Sequence, residues 1–587
     1  MMTAGPAAAP SLRAVLLWAA VLVLLAVALS PVLTRSHVEG FTYFTETMAF
    51  LVPDAARGDP LWAMNHRYFY LSRPGVVWAM APLAQLAPGQ AYDLLMWIAL
   101  PVFLTGLVSF ARVWSGARWL SCIAALLALP IAVEVNFFHN DNVLATGLSL
   151  WALVLVVGGR GAGAVAGAGV LYGLAVLCRL DQVLLGPFFA VLLLLPASSV
   201  AGALLRVAAM GLGFVLVHGA FALIDPQAAN LILRIAVVAE ADALWGRGAG
   251  APLVLAIRDS SAILIALGAG LPAMAAGAVA LVASCRSGGA RVWARPALLI
   301  LYPVFIYALT IGKYYDPRGV MVMLPMLAPL AALGIDRCIV GPLLGAPARP
   351  GPLRGAVAAL ILLPVFVPGV PLVERVLPIG RETENAPPTL TGRIWFTGAW
   401  RDWQTEGFHR PDAAAAALVR GLLAGGISPV VVVTSAWTDD RRLQHAGVAG
   451  GFAPAGPAPG PCAGVAERWE HGDGTVLIHL RAHVPFLPDA DVNSAALFLA
   501  RGADCLRSVP EPARVAVSAH GVDVTRQRPA TGLRSRPGGA FRITDDDIAA
   551  LEDRAAGTLR AQDGAAPGSD VDALAEARLA AVVRRLD

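Results

Sequence analysis

The sequence predicts a polytopic α-helical membrane protein of about eleven spans, followed by a C-terminal soluble α/β domain. Three observations predict it. Of 587 residues, 57% are hydrophobic and only 14% are charged, with a mean hydropathy of +0.66, far from soluble averages. Apolar runs of membrane-crossing length recur up to Val370. Beyond that point the composition turns polar and is punctuated by Pro, Gly and Ala.

The spans run Val15 to Leu33, Tyr92 to Phe110, Trp119 to Val133, Val143 to Val157, Val165 to Leu177, Val183 to Leu195, Val207 to Ile224, Ile263 to Ala283, Ala297 to Ile311, Val320 to Ile335 and Val357 to Val370. Each is judged against about 20 apolar residues per crossing. The first follows only Arg13 and has no small-residue cleavage site after it, so it reads as a retained span rather than a secretory signal. The fifth and sixth are short and flank Cys178-Arg179-Leu180-Asp181, so a re-entrant hairpin is the alternative there; they enter or leave as a pair, and parity does not depend on them. The segment SRPGVVWAMAPLAQLAPG is too short and too rich in proline to cross. It reads as an interfacial helix inside a large first outer loop, residues 35–91.

Short-loop arginines set the orientation. With a cytoplasmic N-terminus, Arg112, Arg118, Arg160, Arg206, Arg286, Arg291, Arg295, Arg337, Arg349 and Arg354 share one side. The other side holds Glu39, Glu46, Asp54, Asp59, Glu134, Asp141, Asp225, Glu240 and Asp242 and faces outward. This expectation makes residues 1–375 the membrane domain and puts the tail, 376–587, outside, which in a bacterial inner-membrane protein is the periplasm. The tail contains strand-like SPVVVVTSAW and TVLIHLRAHV, helix-like AAAALVRGLLAGG and an amphipathic end, DALAEARLAAVVRRLD, with a loosely structured, charged C-terminal stretch expected around it. Cys462 and Cys505 could pair if the tail is outside the cytoplasm.

Composition excludes some functions. A formal charge of +4, with basic residues spread over many loops, argues against nucleic acid as a partner. There is no P-loop, dinucleotide-binding glycine fingerprint, HExxH or nucleophile-elbow motif. The other four cysteines show no metal-ligand spacing.

The few charges are instead grouped at membrane mouths, where a carboxylate near hydrocarbon is costly unless paired or wetted. Glu39 follows the first span by a few residues and is trailed by Phe41, Tyr43 and Phe44. Asp141 lies in FFHNDN beside His139, just before another crossing; Asn140 or Asp141 as a helix cap is the plain alternative. Two such acids could divide the work of taking an acceptor proton and orienting the acceptor. Lys313, the single lysine, stands with Tyr314, Tyr315 and Arg318 at another mouth, a set able to hold a phosphate, or merely to anchor the interface. Arg67 with Tyr68, and Arg73 with Pro74 and Gly75, would line the inner face of the first outer loop if the interfacial helix folds back toward Glu39. Arg179 with Asp181 reads chiefly as a buried pair that stabilises a hairpin, with Arg179 kept as a candidate for substrate binding.

Taken in order, VEGFTYFTETMAF, GDPLW, NHRYFYLSRPGVVWAMAPLA and HNDN resemble the membrane glycosyltransferases of the GT-C class over about residues 10–340. That class includes protein mannosyltransferases using dolichyl-phosphate mannose and the bacterial enzyme that adds aminoarabinose to lipid A. The resemblance implies a GT-C-like membrane fold and an inverting transfer of a sugar from a polyprenyl-phosphate carrier to a lipid, glycan or protein acceptor on the outer face. It places Glu39 at the loop acid, Asp141 at the second-loop acid and Lys313 to Arg318 at the basic region near the lipid phosphate. Tyr68 to Gly75 match a stretch of aromatics, a basic residue and Pro-Pro or Pro-Gly. Many members carry an Asp-Glu pair where this chain has Val38-Glu39, and Gly75 takes the place of a second proline. A divalent metal is compatible with such chemistry, but no ligand set in the sequence argues for one. Two other classes use the same features: a transporter whose mouth charges mark a solute path, and a sensory or structural protein whose tail does the binding.

Overall fold

The structure is a computed structural model, and the residues it describes are 49, 67–86, 91–128, 140–159, 161–194, 199–245, 270–285, 297–299, 301–302, 324–344, 358, 421, 424, 426, 428–434, 450–481, 484, 490–517, 540–563 and 569–586. These form two hydrophobic cores. One draws its buried side chains from Ala49 to Val340, the other from Val431 to Val582.

In the first, α1 (Pro74–Leu86), α2 (Ala91–Ser115), α3 (Trp119–Ala128), α4 (Asn140–Gly158) and α5 (Gly161–Cys178) are followed by a 3-10 turn, Leu180–Leu185. Then come α6 (Gly186–Leu194), α7 (Val200–Ala222), the single turn α8 (Pro226–Ala229), α9 (Leu231–Trp245), α10 (Gly270–Cys285) and α11 (Ala328–Ile335). Helix α5 packs on α4 and α7, α2 on α4, and α11 on α2, α3 and α10.

Among the described residues, four helical stretches are long and apolar enough to cross a membrane: Ile98–Ser115, Gly161–Cys178, Val200–Ala222 and Pro325–Leu344. Three more are apolar but shorter: Asn142–Gly158, Leu180–Leu194 and Pro272–Ala283. The expected spans Val15 to Leu33 and, but for residue 358, Val357 to Val370 lie outside the described residues. Two expectations change. The fifth span is a full-length helix, since 18 residues reach about 27 Å at 1.5 Å each, while the sixth is broken into the 3-10 turn and α6. The tenth does not stop at Ile335 but runs on through a π-turn, Asp336–Val340, to Leu344. Arg337, expected in a loop, is therefore within a helix. The Asp336 carboxylate accepts from the Arg118 backbone N–H at 3.1 Å and from Ser121 Oγ at 2.8 Å, tying this helix to the start of α3.

Helices with no water between them gain from close backbone approach, which small residues permit. A Cβ on Gly277 would run into the Leu330 carbonyl oxygen, and one on Gly334 into that of Ala273. We expect Gly334→Ala to cost about 1–3 kcal/mol by overpacking, seen as a lower unfolding temperature in detergent; an unchanged temperature would mean that α10 can slide away freely.

The second core surrounds a six-stranded sheet of order β2-β3-β4-β1-β5-β6: β1 Val430–Thr434, β2 Phe452–Pro457, β3 Ala466–His471, β4 Val476–Arg481, β5 Arg514–Val517 and β6 Ala540–Arg542. Strand β1 is parallel to both neighbours, with Val432 opposite His479 and Val515, and the outer pairs are antiparallel. A central parallel strand is covered on both faces and so reads as an unbroken apolar run, which is why VVVV, buried throughout, sits there. Cys462 and Cys505 form a disulfide. Within the charged stretch expected to be loose, Asp545–Asp563 is instead a helix, while the amphipathic end forms the expected helix, Val571–Leu586. Ile548, Leu551, Leu559, Leu579 and Val582 bury their apolar stripes in the core.

Candidate functional site

The two ends of the helical bundle differ in what their side chains do. Helices α4 and α5 are joined by a two-residue link, residues 159–160, so they are antiparallel and their far ends lie together. At the end holding that link, Arg206 donates to the Val156 carbonyl, and Arg112 donates to the carbonyls of Gly116 and Ala117. Arg206 thus meets a carbonyl of the last turn of α4, where orphan carbonyls gather, and Arg112 holds the link that follows α2.

At the opposite end a helical segment, residues 67–72, leads into α1. Its chain enters close against the end of α5: a Cβ on Gly75 would stand 2.9 Å from the Leu177 carbonyl carbon and 3.0 Å from the Cys178 nitrogen. Proline at this position would carry such an atom, so the departure from the Pro-Pro pattern has a steric cause in this chain.

Three sets of hydrogen bonds hold the segment. The Tyr70 hydroxyl donates to Asp225 Oδ2 at 2.5 Å and accepts from Trp78 Nε1 at 2.8 Å. Asp225 uses its other oxygen to accept from the Ala228 N–H and cap α8. Burial, then the Asp225 charge, raise the Tyr70 phenol above its ordinary range, so it stays protonated and donates. The third set belongs to Arg234, which is fully buried. Its Nε donates to the Leu71 carbonyl at 2.7 Å and its Nη2 to the Val176 carbonyl at 2.8 Å. Burial pulls this guanidinium down to about 10, which leaves it cationic at neutral pH. Tyr70→Phe should remove the link to Asp225 and cost about 1–3 kcal/mol of stability; thermal unfolding of the purified protein measures it, and no loss would show that water replaces the hydroxyl.

The structure places the sequence candidates as follows. Arg67 and Arg73 are buried; Arg73 lies over the Phe69 ring, 5.5 Å from its centroid, and its Nε donates to Ser72 Oγ at 3.2 Å. Tyr68 meets Phe69 edge-on. Arg179 Nε donates to Asp181 Oδ2 at 2.7 Å just past α5, and Gln182 from the same turn is held by Ser149 Oγ at 2.8 Å. The Arg179–Asp181 pair expected from sequence is thus present. Asp141 stands in the first turn of α4, at this end of the bundle. Glu39, His139, Lys313, Tyr314, Tyr315 and Arg318 lie outside the described residues.

Among side chains described at this end are three buried arginines, Arg67, Arg73 and Arg234, the half-buried Arg179, and two carboxylates, Asp181 and Asp225. Buried arginines present planar forks suited to phosphate or carboxylate. Arg234, Tyr70 and Trp78 were not singled out from sequence, and Asp225 was noted only as an outward acid. A signal existed for Arg234: a base in the apolar run LILRIAVV on the acid-rich side breaks the orientation bias, as Lys313 does. No group of three or more His, Cys, Asp or Glu side chains able to hold a metal occurs among the described residues.

Comparison of folds finds two solved structures of ArnT from Cupriavidus metallidurans. The apo form is similar with a TM-score of 0.42 at 14% identity, over 72% of this chain and 84% of that one. The form bound to undecaprenyl phosphate gives 0.40 at 16% identity over the same shares. No protein-family model and no curated protein sequence matches the chain.

Proposed function

We propose that this protein is an inverting glycosyltransferase that moves a sugar from a polyprenyl-phosphate donor to a lipid, glycan or protein acceptor at the outer face of the inner membrane. The observation that carries the reading is that Arg67, Arg73, Arg179 and Arg234, from three separate stretches of chain, all lie at one end of a bundle of apolar helices, where Arg234 ties segment 67–72 to the end of α5. A polyprenyl tail stays in lipid, so its phosphate can be met only at a membrane mouth. Fixed cations there stabilise charge as it develops on the leaving phosphate.

In the reaction the acceptor oxygen forms a bond to the anomeric carbon as the bond from that carbon to the phosphate oxygen breaks. The acceptor proton passes to Glu39, and the bonding pair leaves with the phosphate. Asp141 orients the acceptor, with His139 beside it. Arg67, Arg73 and Arg179, with Lys313, Tyr314, Tyr315 and Arg318, hold the donor phosphate, and Tyr68 packs beside it. The short-loop arginines of the opposite side support a periplasmic position for this face and for the C-terminal domain, and the Cys462–Cys505 disulfide supports that side for the domain because such bonds persist in oxidising compartments.

The test is transfer of labelled sugar from a panel of polyprenyl-phosphate sugars by the purified full chain in lipid nanodiscs, with native membrane extract as acceptor source. Label that becomes covalently attached to acceptor only with active protein supports the reading. Label that merely crosses proteoliposome membranes unchanged would make the protein a transporter instead.

A further inference from the structure

We propose that Arg234 is a positioning residue, whose guanidinium fixes the arginine-bearing segment 67–73 on the end of α5 and so sets the site for the donor phosphate. The identity of the ligand rests on the sugar-transfer reading; the clamp rests on hydrogen bonds alone.

The guanidinium is a rigid plane, so two of its nitrogens bound to two carbonyls fix those carbonyls relative to each other. One is Val176, in the last turn of α5, where a carbonyl lacks its helical partner. The other is Leu71, two residues before Arg73 and one helical turn after Arg67. Tyr70 and Gly75 also hold the segment, but Tyr70 reaches the α7–α8 connection and Gly75 only permits approach. Arg234 bonds to the segment and to α5 at once. Its own place is well defined: Asn230 Oδ1 accepts from the N–H groups of Ile232 and Leu233, capping α9 one turn ahead of it. Full burial keeps water from competing for the two carbonyls.

A buried arginine could also serve stability only, and the experiment separates the two. Binding of undecaprenyl phosphate to the full chain in nanodiscs is measured for wild type, Arg234→Lys, Arg73→Gln and the double variant. Hydrogen exchange is followed at the amides of residues 67–77. Lysine keeps the charge but is a point donor that cannot span both carbonyls. Arg234→Lys should bind about 10- to 100-fold more weakly, with faster exchange confined to 67–77. Added to Arg73→Gln it should cost little more, because it acts through the same arginine.

Unchanged binding by Arg234→Lys, or full additivity with Arg73→Gln, overturns the positioning role. So does exchange accelerated equally across the bundle, which marks a general loss of stability. If the wild type binds no undecaprenyl phosphate and transfers no sugar, the sugar-transfer reading fails by itself. The clamp is then decided by exchange: faster at 67–77 in Arg234→Lys upholds it, and unchanged there rejects it.

Discussion

Replacing Glu39 with glutamine is expected to lower sugar transfer by about 10²- to 10⁴-fold, the usual contribution of a positioned general base. The amide has nearly the shape of the carboxylate, so folding and donor binding should persist while the group that accepts the proton is gone. The fall should therefore appear in kcat, with KM for the polyprenyl-phosphate donor little changed. Asp141→Asn should give a smaller loss, since an orienting acid can be partly replaced by a neutral hydrogen-bonding group. A Glu39→Gln protein that transfers sugar at the wild-type rate would remove the base from the scheme. A variant that binds no donor would move Glu39 into the binding site.

Serine at Cys462 and Cys505 is expected to destabilise the C-terminal domain by about 2–4 kcal/mol, the range for bridges that close loops of this size. Here the two residues are 43 apart in sequence. The bridge joins the stretch before β3 to the helix Ala503–Arg507, both against the same core, so its loss frees a long loop in the unfolded chain. The rest of that core remains, including the buried Arg481–Glu467 pair at 3.0 Å and Arg514 bound to Asp545 at 2.6 Å. Denaturant unfolding of the full chain, read with and without reductant, measures the effect. The double variant should lose its response to reductant, and a wild type equally stable under both conditions would show that the cysteines are reduced in the mature protein.

What was legible in the sequence depended on how local the signal is. Apolar runs such as Val207 to Ile224 mark helices without help from elsewhere, and the VVVV run announced a strand. Breaks inside apolar runs were not legible. The sixth span splits because Gln182 is recruited by Ser149 and its carbonyl by Tyr172, contacts across the fold that hydropathy does not see. The tenth continues past Ile335 because Asp336 finds donors near the start of α3. The amphipathic end was legible as a helix, but the charged stretch before it looked loose because the helix Asp545–Asp563 carries only a narrow apolar stripe, made up of Ile548, Leu551 and Leu559. In the candidate site, Arg67, Arg73 and Arg179 stood out as bases at a membrane mouth. Tyr70 and Trp78 did not, because an aromatic at an interface is commonplace and only the hydrogen bond from Tyr70 to Asp225 gives it a task.

If the proposed sugar transfer holds, the Asp336 crosslink to Arg118 and Ser121 bears on how a lipid-borne donor would get in. It pins two helices at the end of the bundle remote from the four arginines, and the glycine contact between α10 and α11 leaves little slack beside it. If the helices splay to admit a carrier from the side, they must pivot about that fixed end and part at the other, so that the widest opening forms where the arginines wait.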